Sequence, residues 1–129
     1  RISKYALISL TELKDESNKI NENIVKEIEG ERILASIKDG FYVVLLDLKG
    51  TMLDSVEFSK KIDEISTYYS SKIAFVIGGS FGVSDEVKKR ADYKISFSKM
   101  TFPHQLAKGI LVEQIYRSFK ILKNESYHK

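Results

Sequence analysis

The sequence predicts an α/β fold, a mainly parallel sheet flanked by helices. Three observations predict it. Phe41–Leu48 (FYVVLLDL) and Lys72–Ile77 (KIAFVI) are continuous apolar runs, as strands covered on both faces require. Between and around them, apolar residues recur at spacings of three and four, which marks amphipathic helices. Strand and helix signals alternate along the chain, the order that builds parallel βαβ units.

Taken in order, Tyr5–Leu10 (YALISL) reads as a short apolar strand and Thr11 to Asn18 as a polar loop. Ile20, Ile24, Val25, Ile28, Ile33, Leu34 and Ile37 trace one face of a helix. Gly30 lies inside that helix and weakens it by up to about 1 kcal/mol relative to alanine. Asp39-Gly40 is a turn, and the Phe41–Leu48 strand follows. Lys49-Gly50-Thr51 reads as a loop. Asp54 and Glu57 have the spacing of a capping box, opening a helix that buries Val56, Phe58, Ile62 and Ile65. After the strand at 72–77 come a glycine turn, Gly78-Gly79-Ser80-Phe81-Gly82, and a short helix from about Ser84 to Ala91. Lys94–Ser98 is the next strand. Pro103 fits the first turn of a final helix, where its missing N–H costs nothing. That helix runs to about Asn124, with Leu106, Ile110, Leu111, Ile115, Phe119 and Leu122 on one face.

The chain has 129 residues, enough for one domain with a real core. It contains no cysteine and two histidines, which excludes disulfides and thiolate metal sites and argues against zinc. A reducing compartment is natural for such a chain. No apolar run approaches the roughly 20 residues of a membrane span, and no signal peptide is visible. Charge is unevenly placed. Residues 1–70 hold 10 Lys/Arg against 13 Asp/Glu, whereas residues 71–129 hold 11 against 5. The basic half also carries the glycine turn. This suits a polyanion such as RNA, or is simply a lysine-rich wet surface.

In open α/β sheets, ligands bind beyond the carboxyl ends of the strands. The glycine turn and the segment Ser98–Gln105 (SKMTFPHQ) both sit at such ends. Gly78-Gly79-x-x-Gly82 permits close backbone approach to a ligand, but lacks the endings of a dinucleotide fingerprint or a P-loop. It is either a ligand turn or a tight strand-to-helix connection. Pro103 holds Phe102 extended, so the 98–102 loop either presents backbone groups to a base or simply leads into the helix. His104 is a contact to phosphate or substrate, or a plain surface residue. Lys108, Arg117, Lys120 and Lys123 on the last helix are phosphate contacts or its wet face. Tyr127-His128-Lys129 is a frayed end or a functional tail. Asp47, inside an apolar strand, reads as hydrogen-bonded at a strand end rather than catalytic. No paired carboxylates, Ser–His–Asp set or metal cluster stands out.

Four segments in this order and spacing, FVIGGSFG (75–82), ISFSKMTFPHQL (95–106), EQIYRSFKI (113–121) and the terminal YHK (127–129), resemble the RlmH family of SPOUT methyltransferases. The resemblance covers about residues 20–129. It implies a sheet whose C-terminal segment is threaded as a trefoil knot, which no sequence pattern would suggest, since knots are very rare. It implies S-adenosylmethionine as cofactor, N3 of a pseudouridine in 23S ribosomal RNA as the methyl acceptor, a homodimer, and a cytoplasmic site of action on the large subunit or ribosome without metal or membrane. By position, it implies that Leu46, Gly78 and the loop Phe97, Ser98, Lys99, Met100, Thr101 and Phe102 bind cofactor. It places His104, Arg117, Tyr127 and His128 near the RNA target or the partner subunit. The family also has a strand and helix ahead of the segment that Tyr5–Leu10 matches, so the chain reads as one domain shortened at its N-terminus. The chemistry implied is direct transfer from the sulfonium to N3, largely catalysis by positioning; His128 and His104 are candidate bases, and the catalytic residue is left unassigned. The alternatives are a non-catalytic RNA- or ribosome-binding module of the same fold and a flavodoxin-like nucleotide-binding regulatory domain.

Overall fold

A computed structural model describes residues 7–12, 22–78 and 83–123. Its strands are β1 (Leu7–Glu12), β2 (Tyr42–Met52), β3 (Lys72–Ile77) and β4 (Tyr93–Ser96). Its helices are α1 (Glu22–Ser36), α2 (Ser55–Tyr68), α3 (Asp85–Arg90) and α4 (His104–Leu122). The strands form one sheet, every pairing parallel, in the order β1-β3-β2-β4. The two most apolar runs thus become the two inner strands. Only there is a strand shielded on both faces and both edges, so only there is a continuous apolar run needed.

Alternation along the inner strands sorts the core into two layers. Val43, Leu45, Ala74 and Val76 pack with Ile33 of α1 and Val87 of α3. Val44, Ile73, Phe75 and Ile77 pack on the other face, with Phe58, Ile62 and Ile65 of α2 and Leu111 and Ile115 of α4. A clamp fixes the amino end of the sheet. The Val43 N–H donates to the Asp92 carboxylate (2.8 Å), which also receives Arg90 (3.2 Å), and Arg90 donates a second bond to the Phe41 carbonyl (2.9 Å).

Several boundaries differ from the sequence reading. β1 extends through Thr11 and Glu12, because both pair with β3; Tyr5, Ala6, residues 13–18 and Ile20 lie outside the described residues. Lys49–Thr51 is not a plain loop. β2 runs on to Met52, but its pairing with β4 breaks: Leu46 and Thr51 both lie opposite Ile95, so residues 47–50 are extruded from the ladder. Asp47 is hydrogen-bonded as expected, accepting the Lys49 N–H at 3.0 Å, but at this internal break of β2 rather than at a strand end. β4 stops at Ser96, where Ser96 Oγ donates to the Ser98 carbonyl (2.8 Å) and turns the chain. Pro103 is the residue before α4 rather than in its first turn; its ψ of 147° is extended. The Asp54–Glu57 capping box is present in both directions (2.7 and 2.9 Å). Val56 is 37% exposed rather than buried, because the face of α2 that meets the sheet is set by Phe58, Ile62 and Ile65. Leu106 likewise points outward from α4, at 52% exposure.

Gly30 illustrates how packing overrides helix propensity. A Cβ built there would lie 2.3 Å from Ser84 Oγ and 3.0 Å from Ser84 Cβ. Ser84 caps α3, accepting the Val87 N–H. The missing side chain lets α1 lie against this cap. Gly30→Ala is therefore expected to destabilise the protein by about 1 kcal/mol, even though alanine favours a helix, because displacing the cap outweighs the propensity gain. Urea denaturation of the two proteins checks this. A midpoint at or above wild type would show that Ser84 simply rotates away.

Candidate methyl-donor site

The site follows from where each strand sends the chain. β2 leads to α2 on one face, whereas β3 leads to α3 on the other. The carboxyl ends of these neighbouring strands form the switch point, and adjacent chains departing in opposite directions leave a crevice there. Leu46 lies opposite Ile77 on one side and Ile95 on the other. Gly78 follows Ile77 directly and is half-buried, and Phe97 lies two residues beyond Ile95. The row Ile77–Leu46–Ile95 thus places Leu46, Gly78 one residue beyond it and Phe97 two residues beyond it, far apart in sequence, at one end of the sheet. Leu46 and Phe97 both pack partly against the α2/α4 core layer.

Beyond Phe97, local bonds hold the loop. Ser98 N–H donates to Ser96 Oγ (3.3 Å), and Met100 N–H donates to Ser98 Oγ (2.9 Å). These serine-supported turns fix the backbone while leaving Lys99, Met100 and Thr101 exposed. Phe102 is half-buried. Beside the loop opens a pocket of about 290 Å³ between the start of α2, the end of β4 and α4. Leu53, Phe58, Ile95, Phe97 and Ile110 give it apolar walls, and Asp54, Ser55, Ser96 and Gln114 its polar groups. Ser55 Oγ donates to Gln114 Oε1 at 2.7 Å, tying the mouth of α2 to α4. Among the sequence-assigned cofactor residues, Phe97 lines this pocket, while Leu46 and Gly78 stand at the switch point beside it. An apolar cleft with a few placed polar groups suits a small organic cofactor.

Gly50 lies beside Leu46's register partner, and no motif in the sequence singles it out. A Cβ there would lie 2.7 Å from the backbone of Lys94 and Ile95. It is the point at which the 47–50 extrusion presses on β4, next to Leu46. The only sequence signal was the Lys49-Gly50 pair, which was read as a loop.

The substrate-side residues are placed differently. The backbone of His104 opens α4 at this edge. Arg117 lies thirteen residues further along, about 20 Å down the helix axis. Its guanidinium is held by Glu113 at 3.1 and 3.4 Å. One chain therefore does not bring Arg117 to its own cofactor edge. Tyr127 and His128 lie outside the described residues, as do Gly79 to Gly82. The titrations that are displaced belong elsewhere: Tyr42 is raised mainly by burial, and Lys61 mainly by its bond to Glu64. Tyr42 is the first residue of β2, at the opposite end of the sheet.

A parallel α/β sheet with a switch point, an apolar pocket beside it and a bonded loop is an architecture suited to a small-molecule ligand. Comparison with known proteins makes the class specific. Residues 1–128 match the family described as "Predicted SPOUT methyltransferase". The chain is 53% identical to ribosomal RNA large subunit methyltransferase H of Clostridium kluyveri and 54% identical to the protein of that name from Alkaliphilus oremlandii. It is 52% identical to that from Exiguobacterium sp.. Each match covers 100% of this chain and 84% of the relative. The chain belongs to the SPOUT methyltransferase family, and with that membership comes the knotted form of the parallel sheet described above.

Proposed function

We propose that this single-domain protein transfers a methyl group from S-adenosylmethionine to N3 of a pseudouridine in the 23S ribosomal RNA of the assembled large subunit or ribosome. The observation that carries the reading is the grouping of Leu46 with Gly78 and Phe97, which directly follow its register partners' strands, at the carboxyl end of the sheet. It supports cofactor binding by Leu46, by Gly78 and by the loop of Phe97, Ser98, Lys99, Met100, Thr101 and Phe102. The relatives' common name, a large-subunit ribosomal RNA methyltransferase, supports the substrate class.

The geometry favours a mechanism of positioning. The cofactor supplies a sulfonium methyl group as electrophile. Gly78 gives it backbone access, the Ser96–Ser98–Met100 bonds hold the loop rigid, and the apolar walls exclude water from the reacting carbon. Methyl transfer to N3 would also require N3 to lose its proton, for which His104 and His128 would be the candidate acceptors. Neither step calls for a metal.

The same reading makes the working unit a homodimer. Leu106, Val112 and Tyr116 are 47–52% exposed on the outer face of α4, with exposed Gly109 between them. Such a stripe fits a second copy, and a second copy is what would bring Arg117, Tyr127 and His128 near a site. No helix among the described residues is long and apolar enough to cross a membrane.

The test is calorimetric titration with S-adenosylmethionine, followed by transfer of labelled methyl to large subunits that lack the modification. Binding and labelling of one pseudouridine are expected. Binding to subunits without cofactor affinity would instead identify a non-catalytic ribosome-binding module.

A further inference from the structure

Two tips, the internal extrusion of β2 and the loop after β4, carry the same pair of residue types. The first is the 47–50 extrusion of β2. Its Leu48 is 53% exposed, and Lys49 beside it is also exposed. The second is the loop after β4. Its Met100 is 71% exposed, and Lys99 beside it is exposed. β2 and β4 are hydrogen-bonded neighbours, so the tips leave adjacent strands, about 5 Å apart at their bases. The first tip follows Leu46 and the second follows Phe97 along the chain.

Neither tip is loose. Asp47 holds the first through the Lys49 N–H, and Gly50 seats it against the β4 backbone. Ser98 Oγ holds the second through the Met100 N–H. Among the described residues, some cations of the fold are held in ion pairs, whereas others, Lys60 and Lys89 among them, are not. Lys61, Arg90 and Arg117 are each bonded to a carboxylate, Glu64, Asp92 and Glu113 respectively. Among the described residues, no carboxylate is bonded to the side chain of Lys49 or Lys99. A rigid tip that exposes a large apolar side chain beside an ammonium group in water gains nothing from that arrangement by itself. It matches a ligand that alternates apolar ring faces with phosphates, as a looped single strand of RNA does.

We infer that Leu48–Lys49 and Lys99–Met100 form a two-sided grip on the RNA flanking the target nucleotide, the lysines on phosphates and the apolar side chains against base faces. Leu48 and Met100 then hold open the stack from which the target base is withdrawn, while the loop backbone remains free to serve the cofactor. This rests on the RNA-methyltransferase reading above, and it assigns Leu48 and Lys49 a role in substrate binding distinct from cofactor binding.

The experiment measures S-adenosylmethionine affinity, and KM and kcat for unmodified large subunits, at two salt concentrations. It compares wild type, Lys49→Gln, Leu48→Ser and the Lys49→Gln/Lys99→Gln pair. For the two single variants, cofactor affinity is expected to stay within twofold of wild type. Lys49→Gln is expected to raise the subunit KM about tenfold, and each lysine removed is expected to flatten the log–log salt dependence by about 0.7. Leu48→Ser is expected to lower kcat/KM about tenfold without changing the salt slope. Unchanged KM and salt slope in an active enzyme overturn the grip while leaving the methyltransferase reading intact. A changed oligomeric state in Leu48→Ser, with subunit KM unchanged, assigns that tip to contact between copies and also overturns it. A wild-type protein that labels no RNA removes the reading on which the grip depends.

Discussion

Gly50→Ala is expected to destabilise the protein by about 3 kcal/mol, the upper part of the range for an overpacked core, and to weaken methyl-donor binding with it. The added methyl would meet three backbone atoms of Lys94 and Ile95 at 2.7 Å. A side chain could rotate aside, but these atoms belong to a strand. Relief requires β4 to move away from β2, or the 47–50 extrusion to lift. Either change disturbs the pairing around Leu46 and Ile95, and with it the row on which the site is built. Exposed Gly40 provides a useful contrast. No atom lies within 4 Å of a Cβ there, and its penalty would come from its φ of +88° alone. Urea unfolding and cofactor titration of Gly50→Ala measure both effects. A stability within about 0.5 kcal/mol of wild type, the usual range for a neutral surface change, would show that the extrusion is free to move and that β4 does not depend on it.

Gly78→Val is expected to have the opposite profile, with a nearly intact fold and cofactor affinity lowered at least about 100-fold, or roughly 2.7 kcal/mol. Gly78 lies just past the end of β3, beyond the last paired residue, Ile77. A branched side chain there need not disturb the ladder. It would fill the approach between β2 and β3, where backbone and ligand must come close. Thermal unfolding checks the fold, and calorimetry checks the affinity. Unchanged affinity would remove Gly78 from the site and move the cofactor toward the pocket between α2 and α4. The two variants together separate a glycine required by the fold from one required by the ligand.

The sequence by itself determined the class, the element order and which two strands are covered on both faces. These are properties of local periodicity and of how much apolar surface a segment must hide. Lys72–Ile77 matches β3 at both ends, and the Asp54–Glu57 capping box is written in two residues three apart. The sequence also carried the family resemblance, because the motifs 75–82 and 95–106 stand in a fixed order. What it could not express was contact between distant segments. Nothing near Gly30 records that Ser84 lies against it, so local propensity alone leaves that contact out. Nothing near Gly50 records that β4 lies against it, so a seam of the sheet read as a loop. The exposure of Val56 and Leu106 was decided by which neighbouring residues meet the sheet. The gathering of Leu46, Gly78 and Phe97 was likewise decided by strand register and by the opposite departures of β2 and β3. Such relations arise only when the chain packs, because a steric contact depends on distance in space and leaves no periodic trace along the sequence.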